Sequence, residues 1–510
     1  RTKLILATLL AALAEWLFYR QWIGSTLGGF ALAWAVALMI AMPAVRKKGG
    51  ASFAIVVAVL FAAILVYDPG FLAWGLFWAA VSSASLLSRA RFGDALRWAE
   101  RLMLHAALGW LRWFGDVVRI FRVRGPKRGL AGGRSLGGLI SLLALPVIGG
   151  GVFLAMFASV NPLIANVFAA VALPSPVNII PQLFFAGAVF FAVWPSLRPH
   201  PRVTGIRLGT ASFEGVLPAV PVASIVLSLI TFNAVFALQN SLDLIFLWSG
   251  AKLPGTITMA DYAHRGAYAL IATALLAGLF VLTTLSPRSP SARNPLVRLL
   301  VTLWVAQNLL LVASSILRTL DYIEAYSLTS LRISALIWMG LVGLGLVLIL
   351  WRMLSGRTTA WLINANALAA GTALLIGCAV DPGTIAAQWN VRHAREAGGT
   401  GQEIDLCYLH LQGPAALLPL IELEGRARTP EFRDRVRAVR EDVLRITVEG
   451  QSDWHSWTWR NARRLEAAQA ALGPNRAMPR DVPFGRGCAG GPFMEAQPNE
   501  DDLAAMRAAS

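Results

Sequence analysis

The chain has 510 residues, of which 56% are apolar and only 14% charged, with a mean hydropathy of +0.60; an ordinary soluble domain is about one-quarter charged. That balance excludes a soluble globular protein and predicts an all-α membrane protein. The formal net charge of +17 would point to nucleic acid in a soluble chain, but from Pro382 onward 16 arginines face 17 acidic residues. The excess therefore lies wholly in the apolar part, where basic residues mark cytoplasmic loops, so membrane lipids are expected partners and nucleic acid is not.

Apolar runs recur at about 4–19, 27–45, 51–67, 70–88, 138–159, 179–197, 216–238, 264–285, 296–317, 329–352 and 360–380. Each approaches the ~20 residues that cross about 30 Å of hydrocarbon, so about eleven transmembrane helices are expected. The first run lacks a small-residue cleavage site and is followed by further spans, which reads as a signal anchor. Arg1 and Lys3, Arg46 to Lys48, Arg89 to Arg134, Arg198 to Arg207, Arg288 to Arg298, and Arg352 with Arg357 fall on one side of this topology. That side should be cytoplasmic, which places the N-terminus inside and the region after the last span in the periplasm of a bacterial inner membrane. Four segments follow: four membrane helices over 1–90, a cytoplasmic element over 91–134, a seven-helix core over 135–380, and a mostly helical periplasmic domain over 381–510.

Between the fourth and fifth spans, Asp94, Arg97, Arg101, His105, Arg112, Asp116 and Arg119 recur at helical spacing, opposite Leu96, Trp98, Leu102, Leu104, Leu108 and Leu111. The spacing predicts an amphipathic helix lying on the inner leaflet, and the basic RVRGPKRG stretch beyond it suggests a surface for anionic lipid or a cytoplasmic partner. Residues 135–197 carry no charge at all, and the apolar, proline-interrupted connection near Asn161 to Pro181 is expected to lie in the outer interface or against the bundle.

Ionisable groups inside spans are functional candidates by default, and there are few. Glu15 reads as an interfacial anchor, and Asn233, Gln307 and Asn308 as polar glue between helices. The richest cluster is expected at the outer boundary. Asp261, His264 and Arg265 share one helix face in DYAHRGAY, and Arg318, Asp321, Glu324, Tyr326 and Arg332 crowd the connection between the ninth and tenth spans. If the two segments meet, they form a network that holds a ligand headgroup, relays a proton, or clamps loops together.

Beyond the last span, EFRDRVRAVREDVLR and WRNARRLEAAQAAL read as helices, and from about Gly473 Pro, Gly and polar residues suggest an extended or mobile tail. In a periplasmic domain Cys407 and Cys488 stand either as a disulfide or as two thiols, and Cys378 reads as a packing residue. HExxH and P-loop patterns are missing from the sequence, and no GxGxxG stands at a strand-to-helix junction. No metal or cofactor is called for, and catalysis is the least expected role.

Three stretches carry a resemblance: MADYAHRGAYALIATALLAGLFVL, NPLVRLLVTLWVAQNLLLVASSILRTLDYIEAYSLTSLRISALIWMGLV, and DPGTIAAQWNVRHAR with DLCYLHLQGPAALLPL. The shared pattern is a Tyr-x-Leu-Thr-x-x-Arg turn at Tyr326, Leu328, Thr329 and Arg332, then Asp381, Ile385, Ala386 and Asn390 with Arg392 close by, then Asp405, Tyr408 and Leu409. Over roughly 140–425 the chain resembles the bacterial membrane proteins grouped as domain-of-unknown-function 4173 and its relative 4153. The resemblance implies a multi-spanning membrane protein without an established activity, whose particular residues gather at the outer face.

These readings lead first to a non-enzymatic inner-membrane component of a cell-envelope or signalling assembly, contacting a protein partner or a second copy. A transporter or lipid-handling protein with a site at the outer cluster is the alternative, and an enzyme acting on a lipid-linked substrate the third.

Overall fold

The computed structural model describes residues 1–113, 115–116, 176–205, 221–248, 294–483 and 485–492, with isolated positions at 146, 149–150, 156 and 276. Among them the regular structure is helical, without a strand. In chain order the helices are α1 (Thr2–Phe18), α2 (Thr26–Ala41), α3 (Ala44–Lys47), α4 (Gly49–Tyr67), α5 (Phe71–Leu87), α6 (Ala95–Gly109), α7 (Pro176–Leu197), α8 (Pro201–Gly205) and α9 (Val222–Asp243), continued by one π turn. Then come α10 (Pro295–Tyr326), α11 (Ser330–Ser355), α12 (Thr359–Ala379), α13 (Pro382–His393), α14 (Leu406–Leu411), α15 (Leu417–Arg426), α16 (Pro430–Ser452) and α17 (Trp459–Leu472).

Six helical stretches among the described residues are long and apolar enough to cross a membrane: Gly49–Tyr67, Ile179–Gly205, Val222–Asp243, Pro295–Tyr326, Ser330–Ser355 and Thr359–Ala379. They mark a membrane protein. Their outward residues, such as Leu227, Leu238, Leu299 and Leu331, are exposed and apolar, a surface compatible with lipid contact. The expected spans at 138–159 and 264–285 lie outside the described residues.

Local chemistry sets where the later helices begin. Asn294, Thr329, Thr358, Asp381, Asp405, Thr429 and Thr458 each accept a hydrogen bond from a backbone N–H in the first turn of the helix that follows. Pro295, Pro382 and Pro430 occupy first positions whose N–H would be orphaned anyway. Helix α11 ends on Gly356 in the left-handed conformation, φ +66°.

Two groups of helices pack separately. In the first, α1, α2, α4, α5 and α7 enclose Phe30, Trp34, Ala58, Phe77 and Leu65. Gly28 lets α2 approach α4 so closely that a Cβ there would overlap the Val66 backbone. In the second, α9, α10 and α11 surround Trp304, whose ring lies 5.2 Å from Phe232 and 5.8 Å from Phe236. Polar side chains stitch this group together. Asn233 Nδ2 donates to Leu300 O at 3.0 Å, Gln307 Nε2 donates to Asn233 Oδ1 at 2.8 Å, and Asn240 Nδ2 donates to Gln307 O at 3.2 Å. Asn308 turns back onto its own helix at Trp304 O, 2.8 Å. Helix α12 connects the groups, touching α11 on one side and α5 and α6 on the other.

Basic residues collect at one end of the bundle. Lys3 donates to Leu197 O at 2.6 Å, Arg298 to Leu354 O at 3.2 Å and Arg352 to Thr359 Oγ1 at 2.9 Å. Helix α6 lies at this end with its polar stripe inward, opposite to a helix floating on the leaflet. Asp94, Arg101 and His105 are buried while Met103 and Trp110 are exposed, and Asp116 sits 3.2 Å from both Arg112 and Arg198. Part of its apolar side is covered as well, since Trp98 is buried with Leu86 and Val203, and Leu102, Leu104 and Leu108 pack against them. Burial pushes the His105 imidazole down to about 4, so it is neutral at physiological pH, stacked 6.2 Å from Trp78.

At the opposite end α13–α17 form a crown with its own apolar core, in which Leu409, Leu417, Leu420, Val436 and Val443 are fully buried. Arg440, 1% exposed, is held by Glu424 at 3.0 Å and Glu441 at 2.8 Å. Residues 474–483 and 485–492 run beside α16. Arg440 donates to Ala477 O at 2.6 Å, Arg486 reaches Asp434 at 2.5 Å, and Cys488 is bonded to Cys407 with Cα atoms 4.8 Å apart.

Gly28→Ala should therefore separate α2 from α4 and cost about 1–3 kcal/mol, read as a lower melting temperature in detergent. Gly29→Ala, whose new methyl meets nothing within 4 Å, is the matched control and should melt like the parent. Equal melting of both variants would reject this packing.

Candidate functional site at the crowned helix ends

The α10–α11 turn, Tyr326 to Ser330, cannot satisfy its own backbone. Ser327 stands at φ +68°, in the left-handed region that costs a non-glycine residue roughly 1–2 kcal/mol. Arg332, one turn into α11, donates to Tyr326 O at 2.7 Å and also to Ser327 O, with its guanidinium 4.3 Å from the Tyr322 ring. Asn390 of α13 closes the turn from the other side: Leu328 N–H donates to Asn390 Oδ1 at 2.7 Å, and Asn390 Nδ2 donates to Leu328 O at 2.9 Å. Ser330 N–H donates to the Tyr408 hydroxyl at 3.1 Å. Asp381 and Asp405 supply the starts of α13 and α14, accepting from Gly383 N at 2.9 Å and Tyr408 N at 2.9 Å. Arg392 is exposed on the outer side of α13.

A second contact seats α17. Arg460 reaches Asp68 at 2.7 Å and Ala379 O at 3.1 Å, with its guanidinium 4.8 Å from the Tyr67 ring. One turn on, Arg464 binds Asp381 and donates to Thr384 Oγ1 at 2.7 Å. Burial alone would raise the Asp381 carboxyl, but the hydrogen bonds from Thr384, Arg464 and Gly383 outweigh it and hold it below the usual carboxylate range. Asp68 differs: burial raises its carboxyl and Arg460 offsets this only in part.

A third contact joins the start of α2 to the segment before α17. Ser25 N–H donates to Trp457 O at 2.8 Å and Trp459 N–H donates to Ser25 Oγ at 3.2 Å. Gly24 lies so close under the His455 and Trp457 carbonyls that any Cβ would overlap them. The Trp16 and Trp454 rings are 5.2 Å apart.

The turn at Tyr326 and the residues after the last span thus meet, but the cluster expected around them does not form as one unit among the described residues. Arg318 lies deeper, in a buried ion pair with Asp243 at the end of α9, where Gln239 also donates to Asp243 at 3.0 Å. Asp321 and Glu324 make no ion pair among the described residues, and Glu324 is exposed. Asp261, His264 and Arg265 lie outside the described residues. Glu15 accepts from Gln182 of α7, a helix-to-helix contact in place of an interfacial anchor.

Sequence reasoning missed Asp68, Arg460 and Arg464 as partners. Their signal is positional: Asp68 and Asp381 each stand within two residues of a helix end, and Arg460 and Arg464 share one face of α17. Chemically, these carboxylates are engaged by arginines and backbone N–H groups, and among the described residues no group of three His, Cys, Asp or Glu is placed to hold a metal. On the crown's surface His410 Nε2 lies 2.6 Å from Asp442, in a groove of about 370 Å³ that Cys488 also lines.

A family model described as a domain of unknown function (DUF4153) matches residues 51–423. That stretch holds every residue of the Asn390 contact, whereas Gly24, Ser25, Arg460 and Arg464 stand outside it. No curated protein and no solved structure matches the chain.

Asn390→Ala should strand the N–H and C=O of Leu328 in a buried site, at about 1–3 kcal/mol for each unsatisfied group. The variant is expected to melt well below the parent while exposed Arg392→Ala melts with it; equal melting would reject the contact. The pH dependence follows from Asp381. Its folded carboxyl titrates below its unfolded value, so its stabilisation is complete above the ordinary carboxylate range and lost as pH falls through the depressed value. Asp381→Asn should lower stability at pH 7 and flatten the acid limb of melting temperature against pH, and an unchanged acid limb would refute the assignment.

Proposed function

The chain belongs to the family of unknown function DUF4153, and from its geometry we propose that it is a non-enzymatic, multi-pass component of a cell-envelope or signalling assembly in the bacterial inner membrane. It binds a partner protein through a periplasmic C-terminal domain, the crown. The observation that carries this reading is how the pattern residues are used. Arg332 closes the Tyr326 turn, Asn390 and Tyr408 seat the crown on that turn, and Asp381 and Asp405 start two of its helices. Such a seat presents a fixed surface to a partner at low ordering cost.

The proposed topology has eleven spans with a cytoplasmic N-terminus. Three observations support it. Of the helix ends gripped by the crown, those of α1, α4, α10 and α12 are C-terminal and those of α2 and α11 N-terminal, as the basic-residue rule requires. Exposed Trp16, Trp22, Trp454 and Trp459 gather at that end, as at a membrane–water interface. The Cys407–Cys488 bond suits an oxidising compartment.

Leu411, at the end of α14 and 79% exposed, is an apolar contact available on the crown. Purification from native membranes in mild detergent should bring down a stoichiometric protein partner that Leu411→Glu releases without changing abundance. A chain that elutes without any protein partner would overturn the reading. A phosphatase reporter fused after Ser510 should be active, and an inactive fusion at normal abundance would overturn the topology.

A further inference from the structure

Between α1, α2, α5 and α7 the packing leaves a cavity of about 440 Å³. Its wall is apolar throughout, with Phe18, Leu27, Trp34, Trp74, Phe185 and Val189 as its larger side chains. The indole N–H of Trp34 is already donated to Ser196 Oγ at 2.8 Å. Ordered water needs two to four polar partners, and this almost wholly apolar wall offers too few. Close packing does not leave so large a volume empty, because the lining atoms would forfeit their dispersion contacts. The filling must be hydrocarbon.

Depth identifies which hydrocarbon. The cavity begins at the α4–α5 turn, Pro69 to Phe71, at the crowned end, and reaches Trp34. Trp34 lies eight residues into α2 from Thr26, or about 12 Å at 1.5 Å per residue. That is close to half of the ~30 Å hydrocarbon thickness, the depth of one leaflet. At the mouth stand Ile23 and Phe71, 54% and 97% exposed, so the opening is rimmed by bare apolar side chains. Arg20 stands in the chain between the lining residues Phe18 and Ile23, exposed, with its guanidinium 5.5 Å from the Tyr19 ring. No acid pairs with it among the described residues.

We propose that this cavity binds one acyl chain of a glycerophospholipid from the leaflet on the crowned side, with the lipid phosphate at Arg20. The chain fills the dry slot between α1, α2, α5 and α7, and the cation sits at headgroup level, where a phosphate offers charge complementarity. The site stands apart from the partner reading. Its wall does touch the crown, because Ile23 and Leu27 flank the Gly24–Ser25 step held by Trp457 and Trp459.

The test uses the full chain in nanodiscs of phosphatidylethanolamine and phosphatidylglycerol, doped with a phosphatidylglycerol that carries a diazirine midway along one chain. After irradiation, peptide mapping should place the strongest labelling on cavity residues of α2, α5 and α7. Ala192→Trp and, independently, Val189→Phe should fill the slot and abolish that labelling while the label on exposed Leu227 and Leu238 of α9 persists. Arg20→Ala should weaken cavity labelling by the same probe. Labelling that follows surface exposure alone and is unmoved by both filling variants would mean annular lipid only and overturn the proposal. Labelling of the cavity by a diazirine fatty acid but not by the phospholipid would overturn it as well.

Discussion

A helix satisfies its backbone in hydrocarbon everywhere except at its ends, and the architecture depends on how those ends are closed. At the basic end, side chains from neighbouring helices reach the last carbonyls, as Lys3 does at Leu197 and Arg298 at Leu354. At the other end a separate set of helices does the work. Asn390 gives the Leu328 peptide the two hydrogen bonds that a sheet or helix would have supplied, and Arg460 takes up Ala379 O while neutralising Asp68. The crown is held by terminating the membrane helices, so its attachment and theirs are one set of bonds.

Much of the helical layout was legible because hydrocarbon-length runs end at charge or proline. The runs at 51–67 and 360–380 coincide within two residues with α4 and α12. Where the reading stopped short, a charge had found a buried partner. The ninth run was expected to end at 317, before Arg318, yet α10 continues to Tyr326 because Arg318 pairs with Asp243, itself on an extension of α9. Neither residue alone shows that it is neutralised across 75 positions of sequence. Helix α6 makes the complementary case: its periodicity revealed two faces, but nothing local said that the polar one would meet the protein. The pattern residues were legible as a group at one boundary. Their role was not, since the hydrogen bonds of Asn390 go to backbone atoms, which carry no sequence signature.

The two groups of helices use different chemistry to pack. Around Trp34 the contacts are aromatic, with Phe30, Trp74 and Phe77 within about 6 Å of one another's rings, and small residues such as Gly28 bring backbones together. Around Trp304 the helices add amide-to-carbonyl bonds through Asn233, Asn240 and Gln307.

The contact between Ser25 and Trp459 spans 434 positions of sequence, which sets an order of assembly. Chains emerge at about 5–20 residues per second, so the α1–α2 turn waits roughly 20 to 90 seconds for its partner to be made. Through that interval the α1–α2 turn stands unsealed. Closing it comes late in synthesis, and a chain truncated before Trp457 would keep helices α1 to α12 in place yet carry an open turn, a defect that surveillance proteases at the membrane surface can recognise.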